Sequence, residues 1–191
     1  RIYPTEPNYI KEKYIEKKMD ISQEFFKMGI KETNITVDPQ KRCKQELATG
    51  ILLDILVGKG TELYQTLYDE GLVDDHFNYY YILEKGFGYI MMGGKTDNSD
   101  QLYDRLLQGI YKKRREISKK EFERLYKKNI GDYIKTFNSF KTVASQFIDY
   151  YFKDINFLDI IYIMKEIDFN YVLTRFDEIF DKENIARSIV K

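Results

Sequence analysis

The sequence predicts an α+β fold: an antiparallel sheet of about five strands or more, with helices packed on one face. Three observations carry this. Aromatic and β-branched runs of strand length occur early, midway and at the end of the chain. Between them apolar residues recur at helical spacing. The strands also come in groups instead of alternating with single helices, which argues against a parallel βαβ sheet. With 191 residues, 43% of them hydrophobic, the chain can bury one substantial core. The expectation is a single domain over residues 9–191 behind a lead-in linker at residues 1–8.

Pro4 and Pro7 push the residues before them out of the helical region, so the lead-in reads as extended. From Tyr9 to Ile30, Tyr14, Glu16 and Lys18 alternate with Ile15, Lys17 and Met19, and Phe25, Met28 and Ile30 follow. This predicts two strands on either side of Asp20-Ile21-Ser22, with charge density leaving a helix over residues 10–18 open. Thr36 or Asp38 can cap a helix that takes Pro39 into its first turn and runs to about Val57. Leu47, Ala48, Ile51, Leu52, Ile55 and Leu56 give it one broad apolar face, and Gly58-Lys59-Gly60 stops it.

Thr61 caps a short helix in which Leu63 and Leu67, and Tyr64 and Tyr68, repeat at i, i+4 spacing until Gly71. The runs FNYYYIL from Phe77 and FGYIMM from Phe87 pair as a hairpin about Glu84-Lys85-Gly86, closed by Gly93-Gly94. Asp97, Asn98 or Ser99 opens a helix to about Arg115, with Leu102, Leu106 and Ile110 along one side. Ser118-Lys119-Lys120-Glu121 fits a capping box, the serine accepting from the third amide while the glutamate reaches back. A long helix follows to Asn138-Ser139, where a new cap starts another through Phe152. Short helices near residues 157–165 and 169–180, the second capped by Asp168, precede a terminal strand over residues 185–190.

Lys plus Arg and Asp plus Glu both total 31, so no charge excess recommends nucleic acid or an anionic membrane as partner. The longest apolar run, from Gly50 to Gly58, falls far short of the roughly 20 residues of a membrane span. One cysteine, Cys43, rules out an internal disulfide and fits a reducing, cytoplasmic location. The chain begins at Arg1 with no basic-then-apolar leader, so it reads as a piece of a longer protein. Seventeen tyrosines and thirteen phenylalanines without a tryptophan, alongside abundant Ile, Lys and Asn, read as compositional drift and not as a ligand signal.

No constellation for catalysis emerges from the residues. In Asp74-Asp75-His76 consecutive strand side chains would point to opposite faces, so three metal ligands cannot converge there. Cys43 has no local histidine to activate it and reads as a small packed side chain. Gly86-Phe87-Gly88 and Gly93-Gly94 lack the spacing and the lysine of a phosphate loop and read as turn glycines. Of Tyr79-Tyr80-Tyr81, the outer pair should pack inward and the middle ring point away. Lys112-Lys113-Arg114-Arg115 suits the negative end of a helix, solvated there. Glu121, Glu123 and Asp132 form no pair that shares a cleft.

Three stretches nonetheless carry a resemblance: ELATGILLDILVGKGTELYQTLYDEGLVDDHF from Glu46, GFGYIMMGGKT from Gly86, and FERLYKKNIGDYIKTFNSFKTVASQFIDYYF from Phe122. The signature positions are Glu62-Leu63-Tyr64, the helix exit Glu70-Gly71-Leu72 and the junction Asn138-Ser139. In them the chain resembles the pitrilysin/insulinase-like zinc metallopeptidases, most of all the bacterial branch related to mitochondrial processing peptidase subunits, over about Tyr9 to Val190.

The resemblance implies two homologous α+β halves, of which the first carries His-x-x-Glu-His and zinc. The second binds the peptide and walls a closed chamber. With one histidine and no such motif, this chain looks like the second half, holding no cofactor itself and partnered by the zinc-bearing half and a peptide substrate. Relatives place an arginine and a tyrosine about the Gly-Leu exit to contact substrate; here those positions hold Leu67 and Asp74. A sister subunit supplying both groups, or a non-enzymatic assembly role for the same fold, would account for the departure. An independent hydrolase built on Cys43 or His76 is the remaining, weaker alternative.

Overall fold

The computed structural model describes residues 6–191; the first five residues of the expected lead-in, Pro4 among them, lie outside the described residues. The strands are β1 (Tyr14–Lys17), β2 (Glu24–Lys31), β3 (Asn78–Leu83), β4 (Gly88–Thr96) and β5 (Ile185–Val190). The helices are α1 (Pro39–Val57), α2 (Glu62–Asp69), α3 (Ser99–Glu116), α4 (Lys119–Thr136), α5 (Phe140–Phe152), α6 (Ile160–Lys165) and α7 (Phe169–Ile179). Short 3-10 turns at Phe157–Asp159 and Lys182–Asn184 lead into α6 and β5.

The strands form one α+β sheet in the order β1-β5-β2-β4-β3. Central β2 pairs antiparallel with both β4 and β5, and β3 adds antiparallel to β4. The sheet is mixed and not wholly antiparallel, because β1 lies parallel to β5 with Tyr14 opposite Arg187. The reason is topological. The last strand enters between β1 and β2, which run in opposite directions, so being antiparallel to β2 leaves it parallel to β1.

Strand β4 continues through Gly93-Gly94 to Thr96 instead of closing there, since β2 keeps pairing as far as Glu24 opposite Thr96. A Cβ on Gly93 would stand 2.2 Å from the Phe26 carbonyl oxygen, and its φ is +145°. Glycine therefore lets the two backbones stay in register where a side chain would force them apart.

The inner sheet face presents Phe26, Met28, Ile30, Ile90, Met92, Ile185 and Ile189, all buried. Helix α1 packs beneath it with Ala48, Ile51, Leu52, Ile55 and Leu56 fully enclosed. Leu53 and Val57 are buried as well, so α1 is covered on nearly every side and not on one broad face. Helices α3, α4, α6 and α7 close around it. Each enclosed aliphatic side chain stabilises by about 1.5–3 kcal/mol, which makes α1 the main axis of the core. A second apolar cluster, Cys43, Ile155, Phe157, Ile160, Ile163 and Met164, lies on the outer side of α1.

The caps fall at Asp38, Thr61, Asn98, Ser118, Ser139 and Asp168, each accepting an orphan amide of its helix. Only half of the expected capping box forms. Ser118 accepts from the Glu121 amide at 3.2 Å, but the Glu121 carboxylate turns to Lys113 Nζ at 3.0 Å. A cation offers it a stronger hydrogen bond than a neutral amide does.

Candidate functional site

The corner that holds the signature residues is the exit of α2. Thr61 accepts the Tyr64 amide at 3.1 Å to start the helix. At its end the Leu72 amide reaches back to the Leu67 carbonyl (2.9 Å) and the Gly71 amide to Tyr68 (3.0 Å), with Gly71 at φ +70°. This is a Schellman ending, and the buried Leu67 and Leu72 supply its apolar contact. The chain thereby turns sharply toward β3, and Tyr64 Oη donates to the Asp74 carbonyl at 3.2 Å.

The signature thus describes how α2 stops. Leu67 is 2% exposed and packs in the core. Asp74 is half-buried and occupied locally, accepting from the His76 amide (2.9 Å) and facing the His76 ring nitrogen at 3.0 Å. Glu62 and Leu63 line a hollow of about 220 Å³ between α2 and α3, into which Arg105 also turns. Arg105 donates through Nε to Glu70 Oε2 at 3.1 Å and through its second nitrogen to the other oxygen, a bidentate tie that clamps α3 to the α2 exit. No spacing in the sequence links residues this far apart, so Arg105 had no local signal. Ser139 caps α5 by accepting the Thr142 amide at 3.2 Å, and Asn138 shapes the turn before it.

Residues 74–76 form a turn, closed by the Phe77 amide to the Asp74 carbonyl at 3.1 Å, and not a strand. Two of the three side chains therefore do meet, while Asp75 turns toward Lys59. Among the described residues no group of three or more His, Cys, Asp or Glu side chains is arranged to hold a metal ion. A zinc ion needs three or four such donors, so the donor set of the described residues does not fit one. Cys43 is buried, and burial first, then the nearby Glu46 carboxylate, pushes its thiol up to about 12. Burial and a raised thiol pKa leave little thiolate, the reactive form, so Cys43 is placed as a packed side chain.

The densest ionic cluster lies inside the core instead. Arg175, fully enclosed, donates to Glu32 and Glu178 and to Thr49 Oγ1 at 3.3 Å. Tyr81 Oη donates to Glu32 at 2.8 Å. Burial works against the Arg175 charge, but Glu32 outweighs it and the guanidinium is held more firmly protonated than usual. Tyr79 likewise points inward, donating to Asp54 at 2.7 Å, while Tyr80 points outward and meets the Tyr89 ring edge-on. The tyrosine run divides between the faces as alternation requires.

The face of the sheet turned away from this chain's helices carries Phe25, Tyr80, Ile82, Tyr89 and Met91 with Lys27 and Lys95. Phe25 and Tyr80 are 41% and 43% exposed. Such an aromatic sheet face can receive another protein surface or an extended peptide. Within the Lys112–Arg115 cluster, Arg114 pairs with Asp177 at 2.7 Å and Lys113 with Glu121, as at a helix end, while Arg115 is exposed.

Comparison with known proteins completes the description. Residues 1–129 match the family model described as the peptidase M16 inactive domain. The protein called uncharacterized zinc protease YmfH of Bacillus subtilis (strain 168) is 32% identical over 157 residues, covering 82% of this chain and 36% of that protein. The crystal structure of a putative M16-like peptidase from Alicyclobacillus acidocaldarius superposes with a TM-score of 0.91 at 29% identity, over 100% of this chain and 46% of that one. A peptidase M16 inactive domain from Pseudomonas fluorescens shares the fold, with a TM-score of 0.78 at 13% identity, over 100% of this chain and 45% of its own. The chain thus spans less than half the length of these relatives.

Proposed function

Because the chain belongs to the peptidase M16 inactive domain family, we propose that it is the non-catalytic half of a zinc-dependent endopeptidase acting on peptides. It binds substrate and walls the chamber. The observation that carries this reading is the family match combined with a single histidine, His76, which cannot write His-x-x-Glu-His. Zinc and the general base belong to the N-terminal half of the parent, which is also the first partner of this chain. There the metal would activate water for attack on the amide.

In this reading residues 9–191 act as one domain. The sheet face bearing Phe25, Tyr80 and Tyr89 looks toward the zinc-bearing half and the peptide held between them. Leu67, enclosed in the core, and Asp74, tied to His76, provide neither guanidinium nor phenol to a substrate. A sister subunit supplies them. Free, buried Cys43 suits a reducing cytoplasmic setting.

The same two positions favour one alternative, a structural or assembly module in which proteolysis has been lost. Zinc content and peptide hydrolysis, measured on the full-length parent alone and mixed with a sister chain, separate the two. Stoichiometric zinc with turnover supports the peptidase reading. A parent without His-x-x-Glu-His, zinc-free and inert in every mixture, leaves the assembly role.

A further inference from the structure

The sheet face turned away from the helices differs from the rest of the molecule in charge. Over the whole chain cations and anions balance at 31 each. On this face the strands place Lys17, Lys27, Lys31 and Lys95, and no Asp or Glu. The carboxylates of the same strands, Glu16 and Glu24, alternate to the helical side, where Lys191 meets them at 3.5 and 3.9 Å. Lysines and apolar side chains are interleaved. Across the sheet Lys17, Val190, Phe25 and Lys95 stand in one row with a cation at each end. Lys27 lies diagonal to Lys95, and its Nζ stands 5.3 Å from the centre of the Phe25 ring.

These cations are short of anionic partners. Among the described residues Lys17, Lys27 and Lys95 form no ion pair; Lys27 donates to the neutral Asn78 amide oxygen at 3.0 Å. Burial holds Lys27 below the usual lysine pKa with no carboxylate to offset it among the described residues. Lys31 shows what such a cation takes: Glu6, from the irregular lead-in, brings a carboxylate to its Nζ at 3.2 Å. A nucleic acid fits this surface less well. Its phosphates need a continuous cationic track, whereas here the lysines are separated by Phe25, Val190 and Tyr89, and the balanced chain does not attract a long polyanion. An acidic peptide supplies carboxylates and apolar groups together.

We propose that this face binds an acidic, extended stretch of peptide, its carboxylates on Lys17, Lys27 and Lys95 and its apolar side chains on Phe25 and Tyr80. That the peptide is a substrate rests on the peptidase reading above. The test is fluorescence anisotropy with the full-length parent and a labelled decapeptide alternating Glu with Phe, beside its Gln and Lys counterparts. A zinc chelator keeps the peptides intact. The Glu peptide should bind about tenfold or more tightly than the Gln peptide at about 0.05 M salt, the gap closing at about 0.5 M. Lys17→Glu combined with Lys95→Glu, both at exposed positions, should abolish that preference with an unchanged circular dichroism spectrum; Lys120→Glu on α4 should not. Equal affinities for the Glu and Gln peptides overturn the proposal. So does a preference indifferent to the Lys17 and Lys95 reversals, or an oligonucleotide of the same charge bound as tightly. Turnover of a neutral peptide by the zinc-loaded parent checks the peptidase reading separately: turnover without acidic preference sinks only this proposal, and acidic binding without zinc or turnover sinks the substrate role.

Discussion

Arg175 and Glu32 are the two charges that this fold encloses most completely, and their value lies in being paired. Removing one partner strands the other in the core, which costs about 3–5 kcal/mol, whereas removing both costs much less. Arg175→Met should therefore lower the urea midpoint strongly, and Glu32→Gln combined with Arg175→Met should recover a large part of the loss. Equal midpoints for single and double variants would show that the pair is not coupled. Cys43 gives a second prediction. With its thiol held up at about 12, only about one part in ten thousand is thiolate at pH 8. Alkylation by iodoacetamide should be slow in the native protein and rise to the rate of a free cysteine in urea; fast native labelling would contradict the burial.

At the scale of elements, the exit of α2 explains why Glu70-Gly71-Leu72 stands out in the sequence. Gly71 occupies the left-handed region, which costs other residues about 1–2 kcal/mol. Open space surrounds the position, so Gly71→Ala should destabilise by about 1 kcal/mol through backbone conformation alone, read as a fall in urea midpoint with unchanged slope. A neutral Gly71→Ala would remove the conformational account of the signature.

This scale is also where the sequence was most legible. Caps such as Thr61, Ser118 and Asp168, and the alternation of Tyr79, Tyr80 and Tyr81, are local properties and placed their elements well. What stayed hidden was non-local. The parallel pairing of β1 with β5, the continuation of β4 beyond Gly93-Gly94, the tie of Arg105 to Glu70 and the burial of Arg175 against Glu32 all join residues far apart in the chain. No periodicity records them. Residues 74–76 read as strand in the sequence because their neighbours Phe77 and Tyr79 lean toward β structure, while the turn they form closes through Asp74 bonding within it.

At the scale of the whole molecule, the sheet and its helices form a half that shows an aromatic, lysine-bearing face on one side. Family membership and fold are established by the match over residues 1–129 and by the superposition over the whole chain. The candidate site was legible mainly as an absence of catalytic side chains, since a surface of exposed rings such as Phe25 and Tyr80 leaves no spaced motif in the sequence. On the proposed peptidase reading, Tyr80→Ala, on the uncovered face, should raise the KM of the full-length parent several-fold while leaving kcat and the zinc content nearly unchanged; an unaltered KM would count against this face as the substrate surface.

The central claim is that the chemistry lies outside this chain. It is tested most directly by assaying peptide hydrolysis and bound zinc for the chain alone, for the zinc-bearing half alone, and for the two recombined in the presence of the sister chain. The account predicts no zinc and no turnover in the first, zinc with little turnover in the second, and turnover restored on mixing. Peptidase activity in this chain by itself, abolished by Cys43→Ala or His76→Ala, would contradict it.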